Sequence, residues 1–171
     1  MLGKEKVIIM LDSRKALIPG SFDPPTLGHY DLAARASQIF DEVYVVEFVN
    51  SSKTSFFSAD QRLQMLNAAF ADMPNVRVDM CSGLLAQYCL DHNIGTIVKG
   101  ARSSTDFDYE LSLSLINRSI IKELDTVILP TRSELMHVSS TMVRELIRYS
   151  RDYSACVPAS VAALVAEFKK N

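Results

Sequence analysis

From Lys15 onward, short runs of β-branched and apolar residues alternate with stretches whose apolar positions recur every three or four residues. The runs Ala16–Pro19, Val43–Val49, Val76–Met80, Thr96–Lys99 and Thr126–Leu129 are rich in Val and Ile and mostly lack period-2 alternation. That pattern predicts strands buried on both faces. Helices are predicted between them. His29 to Phe40 gathers Leu32, Ala33, Ala36, Ile39 and Phe40 on one face. Ser58-Ala59-Asp60-Gln61 reads as a capping box opening a helix that carries Leu63, Leu66 and Phe70. Leu84–His92 is predicted to end near Gly95, and Asp106–Glu123 is a long helix carrying Leu111, Leu115 and Ile116. Ser139 or Ser140 caps Met142–Tyr149, and Pro158 suits the first turn of a last helix through Phe168.

Strand–helix–strand repeated through the chain predicts one α/β domain: a five-stranded parallel sheet with right-handed crossovers and helices on both faces, Rossmann-like in class. Such sheets bind ligands beyond the carboxyl ends of their strands, where the strand order reverses. No linker, repeat or low-complexity segment divides residues 15–171. Residues 1–14 precede the pattern as an extension with no assignable role.

Composition narrows the class. The 171 residues are 48% hydrophobic and 22% charged, which excludes a disordered chain. A formal net charge of −2 argues against nucleic acid as a partner. No apolar run approaches the roughly 20 residues of a membrane span. The start, with a short apolar stretch Val7–Leu11 followed by Asp12, Ser13 and Arg14, is a poor signal peptide. Cys81, Cys89 and Cys156 lack Cys-x-x-Cys spacing, so they offer no zinc site and suit a reducing compartment. A cytoplasmic globular protein is the expectation.

The candidate chemistry lies in the loops after strands. The first reads Pro19-Gly20-Ser21-Phe22-Asp23-Pro24-Pro25-Thr26-Leu27-Gly28-His29. A helix N-terminus there would offer unpaired N–H groups and the positive end of the helix dipole to a phosphate. Gly28 would let a ligand approach the backbone. His29 would donate to a phosphate oxygen; the alternative is a histidine that only caps the helix. Asp23 is expected to brace the loop rather than hold a metal. Glu47 interrupts an apolar strand and is expected to meet a strand-end or interface partner.

Thr26-x-Gly28-His29 after a first strand resembles the nucleotidyltransferase superfamily signature, and Val138-Ser139-Ser140-Thr141-Met142-Val143-Arg144 resembles its second motif. Pro19–Pro24, Asn50-Ser51-Ser52-Lys53, Ser82-Gly83-Leu84-Leu85, Gly100-Ala101-Arg102, Asp106–Glu110 and Asn117-Arg118 further resemble the phosphopantetheine adenylyltransferase family, over nearly the whole chain from Lys15. The resemblance implies adenylyl transfer from ATP to 4′-phosphopantetheine, giving dephospho-coenzyme A and pyrophosphate. It also implies Mg²⁺ held mainly by the ATP phosphates, a homohexamer and feedback binding of coenzyme A.

By that resemblance His29 stabilises the transition state and binds ATP. The ATP site takes Ser21, Phe22, His29, Gly100, Ala101, Arg102 and Glu110, together with the loop Leu135, Met136, His137, Val138, Ser139, Ser140 and Thr141. The acceptor site takes Ser21, Lys53, Leu85 and Lys99, and no residue is assigned to metal. The family usually carries arginine at position 99, an aromatic residue at 135 and an apolar one at 137, where this chain has Lys99, Leu135 and His137. From the residues alone, Lys53 and Glu110 also read as surface charges and Leu84 and Leu85 as core. Another adenylyl- or cytidylyltransferase, or a module that senses ATP or coenzyme A without turnover, remains an alternative.

Overall fold

A computed structural model describes residues 10–49 and 54–169. The strands are β1 (Asp12–Gly20), β2 (Glu42–Phe48), β3 (Val76–Cys81), β4 (Ile94–Ala101) and β5 (Asp125–Pro130). The helices are α1 (Leu27–Ala36), α2 (Ala59–Ala69), α3 (Leu85–Asp91), α4 (Ser104–Ile120), α5 (Ser140–Arg148) and α6 (Ala159–Phe168). All pairings are parallel, in the order β3-β2-β1-β4-β5. The chain runs outward from β1 to β3, then crosses to β4 beside β1. The direction reverses at β1/β4, and their carboxyl ends open the ligand crevice expected of such sheets. None of the described helices is long and apolar enough to cross a membrane.

Alternate residues of the central strands feed two apolar layers. Ala16, Ile18, Val43, Val45 and Val98 pack with α1, α2, α5 and α6; Leu17, Val46, Ile94 and Ile97 pack with α3 and with Ile121 and Leu124 beyond α4. This is why the strands read as unbroken apolar runs. The predicted capping box of α2 forms: Gln61 N–H donates to Ser58 Oγ, and Ser58 N–H to Gln61 Oε1. Ser139 caps α5, accepting from Met142 N–H at 3.2 Å.

Several expectations are corrected. β1 begins at Asp12, so residues 12–14 of the segment set apart as an extension belong to a strand. α1 stops at Ala36 instead of Phe40; Ile39 lies beyond it and is exposed, whereas Phe40 still packs into the core. Gly95 does not end α3. The left-handed residue there is Asn93 (φ 55°), a residue type that tolerates that region. Gly95 lies within β4, where a Cβ would come 2.8 Å from the Asp12 backbone. α4 begins two residues early, at Ser104 behind the cap Ser103, and ends at Ile120. On it, Leu111, Leu115 and Ile116 are exposed.

Candidate active site

The β1–α1 loop is folded tightly over the end of β1. Phe22 adopts φ 44°, a conformation that costs a non-glycine residue roughly 1–3 kcal/mol. Its ring is buried and lies over Gly20, where a Cβ would come 2.9 Å from the ring. The strain is held by bonds from two other elements. Asp23 accepts from the N–H groups of Phe56 (2.8 Å) and Phe57 (2.9 Å), and Arg144 of α5 donates to the Asp23 carbonyl at 2.6 Å. Asp23 is thus the expected brace, with both carboxylate oxygens occupied.

Phe22 meets the His29 ring edge to face, with centroids 4.9 Å apart. Thr26 N–H donates to His29 Nδ1 at 3.0 Å. A backbone N–H only donates, so Nδ1 carries the lone pair and the proton of the neutral ring is assigned to Nε2. One nitrogen of His29 therefore caps the helix start, and the other is left as a donor. Burial, with Arg102 and Lys99 close by, lowers its pKa from 6.5 to about 4.

That shift has a testable sign. Between about pH 4 and 6.5 the unfolded chain binds a proton at this residue and the folded chain does not, so His29 weakens stability as pH falls through that window. An NMR titration of the imidazoles should show His29 neutral at pH 5.5; a midpoint near 6.5 would show that the ring is not held this way.

A cavity of about 410 Å³ opens at the ends of β1, β4 and β5. Of the residues expected from sequence, Phe22, His29, Lys99, Gly100, Arg102, Glu110, Leu135, Val138, Ser139 and Ser140 line it. Lys99 Nζ lies 3.2 Å from Glu110 Oε1, so the substituted basic residue points into the crevice and is paired there. Arg102 is anchored at Asp106, 3.1 Å away. The N-termini of α1 and α5 converge on the same space. At α5 the serine hydroxyls already have partners: Ser139 Oγ accepts from Met142 N–H, and Ser140 Oγ donates to the Pro24 carbonyl at 2.8 Å. The helix-start N–H groups, with the Ser139 O–H that the Met142 bond leaves free to donate, are what α5 offers an anion there.

Other expected residues lie elsewhere. Ser21 and Thr141 line a second cavity of about 580 Å³, with Asp23, Glu47, Arg62 and Arg144. Leu85 packs against the apolar layer of α3 and lines neither cavity. Met136 and His137 are exposed and line neither, and Ala101 contributes a carbonyl that accepts from Thr131 N–H. Lys53 lies outside the described residues. Sequence reasoning missed Asp31, Leu32 and Arg35, which line the first cavity. They follow Gly28 at helical spacing, so one stripe of α1 faces the ligand space, and that periodicity was available to be read.

No group of three or more metal-ligating side chains occurs among the described residues.

The family model described as Cytidylyltransferase-like matches residues 17–146. Among solved structures, the chain is similar to one from Vibrio parahaemolyticus provisionally named a nicotinate-nucleotide adenylyltransferase. The two share 19% identity with a TM-score of 0.69, over 90% of this chain and 91% of that one. At that identity the likeness establishes a common fold.

Proposed function

Because this chain belongs to the cytidylyltransferase-like family of nucleotidyltransferases, we propose that it transfers the adenylyl group of ATP to 4′-phosphopantetheine, giving dephospho-coenzyme A and pyrophosphate. An oxygen of the acceptor phosphate attacks the α-phosphorus of ATP. The bond from that phosphorus to the bridging oxygen breaks, and pyrophosphate leaves. The attacking group is already ionised, so catalysis rests on positioning and on stabilising charge at the crowded phosphoryl oxygens.

One observation carries the reading: a neutral His29, its Nδ1 fixed by Thr26 N–H and its Nε2–H free to donate, lies beside Lys99 and Arg102 at the mouth of α1. In this reading His29 bonds an oxygen of the α-phosphoryl group. Arg102 and the N-terminus of α5 hold the rest of the triphosphate. Mg²⁺ would arrive with the phosphates, which it screens. Each Asp23 oxygen already accepts a backbone N–H, and no group of three or more metal-ligating side chains occurs among the described residues.

The acceptor assignment rests on the residues after the second and third strands and on Asp106–Glu110, which resemble the phosphopantetheine enzymes. Coenzyme A as a feedback ligand and a homohexamer belong to the same proposal. The exposed apolar side chains of α4, Leu111, Leu115, Ile116 and Ile120, are compatible with a subunit contact.

Pyrophosphate release from ATP, Mg²⁺ and 4′-phosphopantetheine tests the function. Release with nicotinamide mononucleotide or glycerol phosphate instead would assign a different acceptor, and binding of ATP without release would assign a sensing module.

Lys99 gives a further prediction. Lys99→Ala should lower kcat/KM for the acceptor by roughly one to two powers of ten, the loss of one charge-assisted contact of about 1.5–3 kcal/mol. Lys99→Arg should retain most activity, because the charge is kept although its geometry changes. Steady-state kinetics with the acceptor varied at saturating ATP measure both. An unaffected Lys99→Ala would leave the ion pair with Glu110 as the only role of this lysine.

A further inference from the structure

The second cavity has a feature that neither motif explains. Glu47, in β2 and only 1% exposed, lines it together with Arg62 of α2. Arg62 directs Nε and Nη2 to the same carboxylate oxygen, Oε1, and Nη1 to the Phe57 carbonyl at 2.8 Å. The other oxygen, Glu47 Oε2, has no hydrogen-bond partner among the described residues. A buried carboxylate oxygen without a partner is costly to desolvate, so its presence calls for a group that satisfies it.

The neighbouring acids differ. Asp23 uses both oxygens on backbone N–H groups, and Glu145 is paired with Arg148 at 2.6 Å. Arg144 is bonded to the Asp23 carbonyl and to Thr141. Glu47 Oε2 is therefore the acceptor left over in a cavity whose other charged groups are engaged. It asks for a hydrogen-bond donor.

The position of the cavity says which molecule supplies it. The β1–α1 loop borders both cavities, with Phe22 and His29 lining the first and Ser21 and Asp23 the second. A phosphate attacking beside His29 from the β2 side leaves the rest of its molecule next to Glu47. We propose that Glu47 is a specificity-determining residue for the acceptor: its free carboxylate oxygen receives an amide N–H of the acceptor arm and disfavours acceptors that present a carboxylate there. This rests on the acceptor reading given above.

The test compares 4′-phosphopantetheine with 4′-phosphopantothenate, which ends in a carboxylate where the other has its second amide. The parent enzyme should prefer the amide by at least roughly tenfold in kcat/KM, about one hydrogen bond to a charged group. Glu47→Gln should narrow that preference to within about threefold and leave the KM for ATP unchanged. If Glu47→Gln fails to fold, an acceptor N-methylated at its amides, used with the parent enzyme, removes the donor instead. It should lose at least roughly tenfold in kcat/KM. A folded Glu47→Gln with the parent's preference, or full activity on the N-methylated acceptor, overturns the assignment while adenylyl transfer stands. A parent enzyme that does not adenylylate 4′-phosphopantetheine overturns the acceptor reading, and the Glu47 assignment falls with it.

Discussion

Replacing His29 with alanine should lower kcat by roughly 10²–10³, the usual effect of removing one preorganised donor from developing charge. The size follows from how the ring is prepared. A free imidazole near neutral pH samples two tautomers and a cation. Here Thr26 N–H holds Nδ1 as an acceptor at 3.0 Å, and Phe22 packs edge-on at 4.9 Å. Burial and the nearby Arg102 and Lys99 keep the ring neutral to about pH 4. Little reorganisation remains when the phosphoryl oxygens become crowded. His29→Asn separates the two roles of the residue, because an amide can still cap Thr26 but does not place a donor where Nε2 lies. It should fold like the parent and remain as impaired as the alanine variant. Pre-steady-state measurement of pyrophosphate release, with circular dichroism for folding, decides the matter. Near-parental turnover in a folded His29→Ala protein would remove His29 from the chemistry.

How much of this was legible beforehand depends on the kind of signal. All five strands appear where the Val- and Ile-rich runs fall, but only the central β1, β2 and β4 carry fully buried residues; β3 and β5 are edge strands with none, so the expectation of burial on both faces does not hold for them. The strand ends carry no such mark. Asp12, Ser13 and Arg14 extend β1 through backbone pairing that carries no side-chain pattern. Periodicity finds a helix face but not what covers it: the apolar residues of α4 are open, whereas Gly28, Asp31, Leu32 and Arg35 form a stripe that faces a cavity. The motif marks Ser139 and Ser140 as a phosphate site but says nothing of their bonds within the fold. The fold adds that Ser139 caps α5 and that Ser140 bonds the Pro24 carbonyl. Likewise, Arg62 in an amphipathic helix reads as a solvated charge, and Glu47 in an apolar strand as an anomaly. That they answer each other across 15 residues is a fact of packing.

That pair yields the largest expected effect on stability. Arg62→Ala should destabilise the protein by about 3–5 kcal/mol, because it leaves the Glu47 carboxylate buried without its cation. For a chain of this size, the midpoint of thermal unfolding should fall by roughly 6–20 °C. The loss also removes the Nη1 bond to the Phe57 carbonyl, and Phe57 N–H is one of the two donors that fix Asp23. The damage should therefore extend to the β1–α1 loop and lower activity as well as stability. Replacing both partners with apolar residues of similar volume, Glu47→Leu with Arg62→Met, removes the desolvation cost along with the attraction. It should be close to neutral or even stabilising. Urea denaturation of Glu47→Leu, Arg62→Met and the double variant closes the cycle and gives the coupling between the residues. A loss below about 1 kcal/mol for Arg62→Ala would mean that Glu47 finds another partner once Arg62 is gone. If instead the double variant is as stable as the parent yet treats amide- and carboxylate-bearing acceptors alike, the ion pair is retained for selectivity at a site where stability alone would favour leucine and methionine.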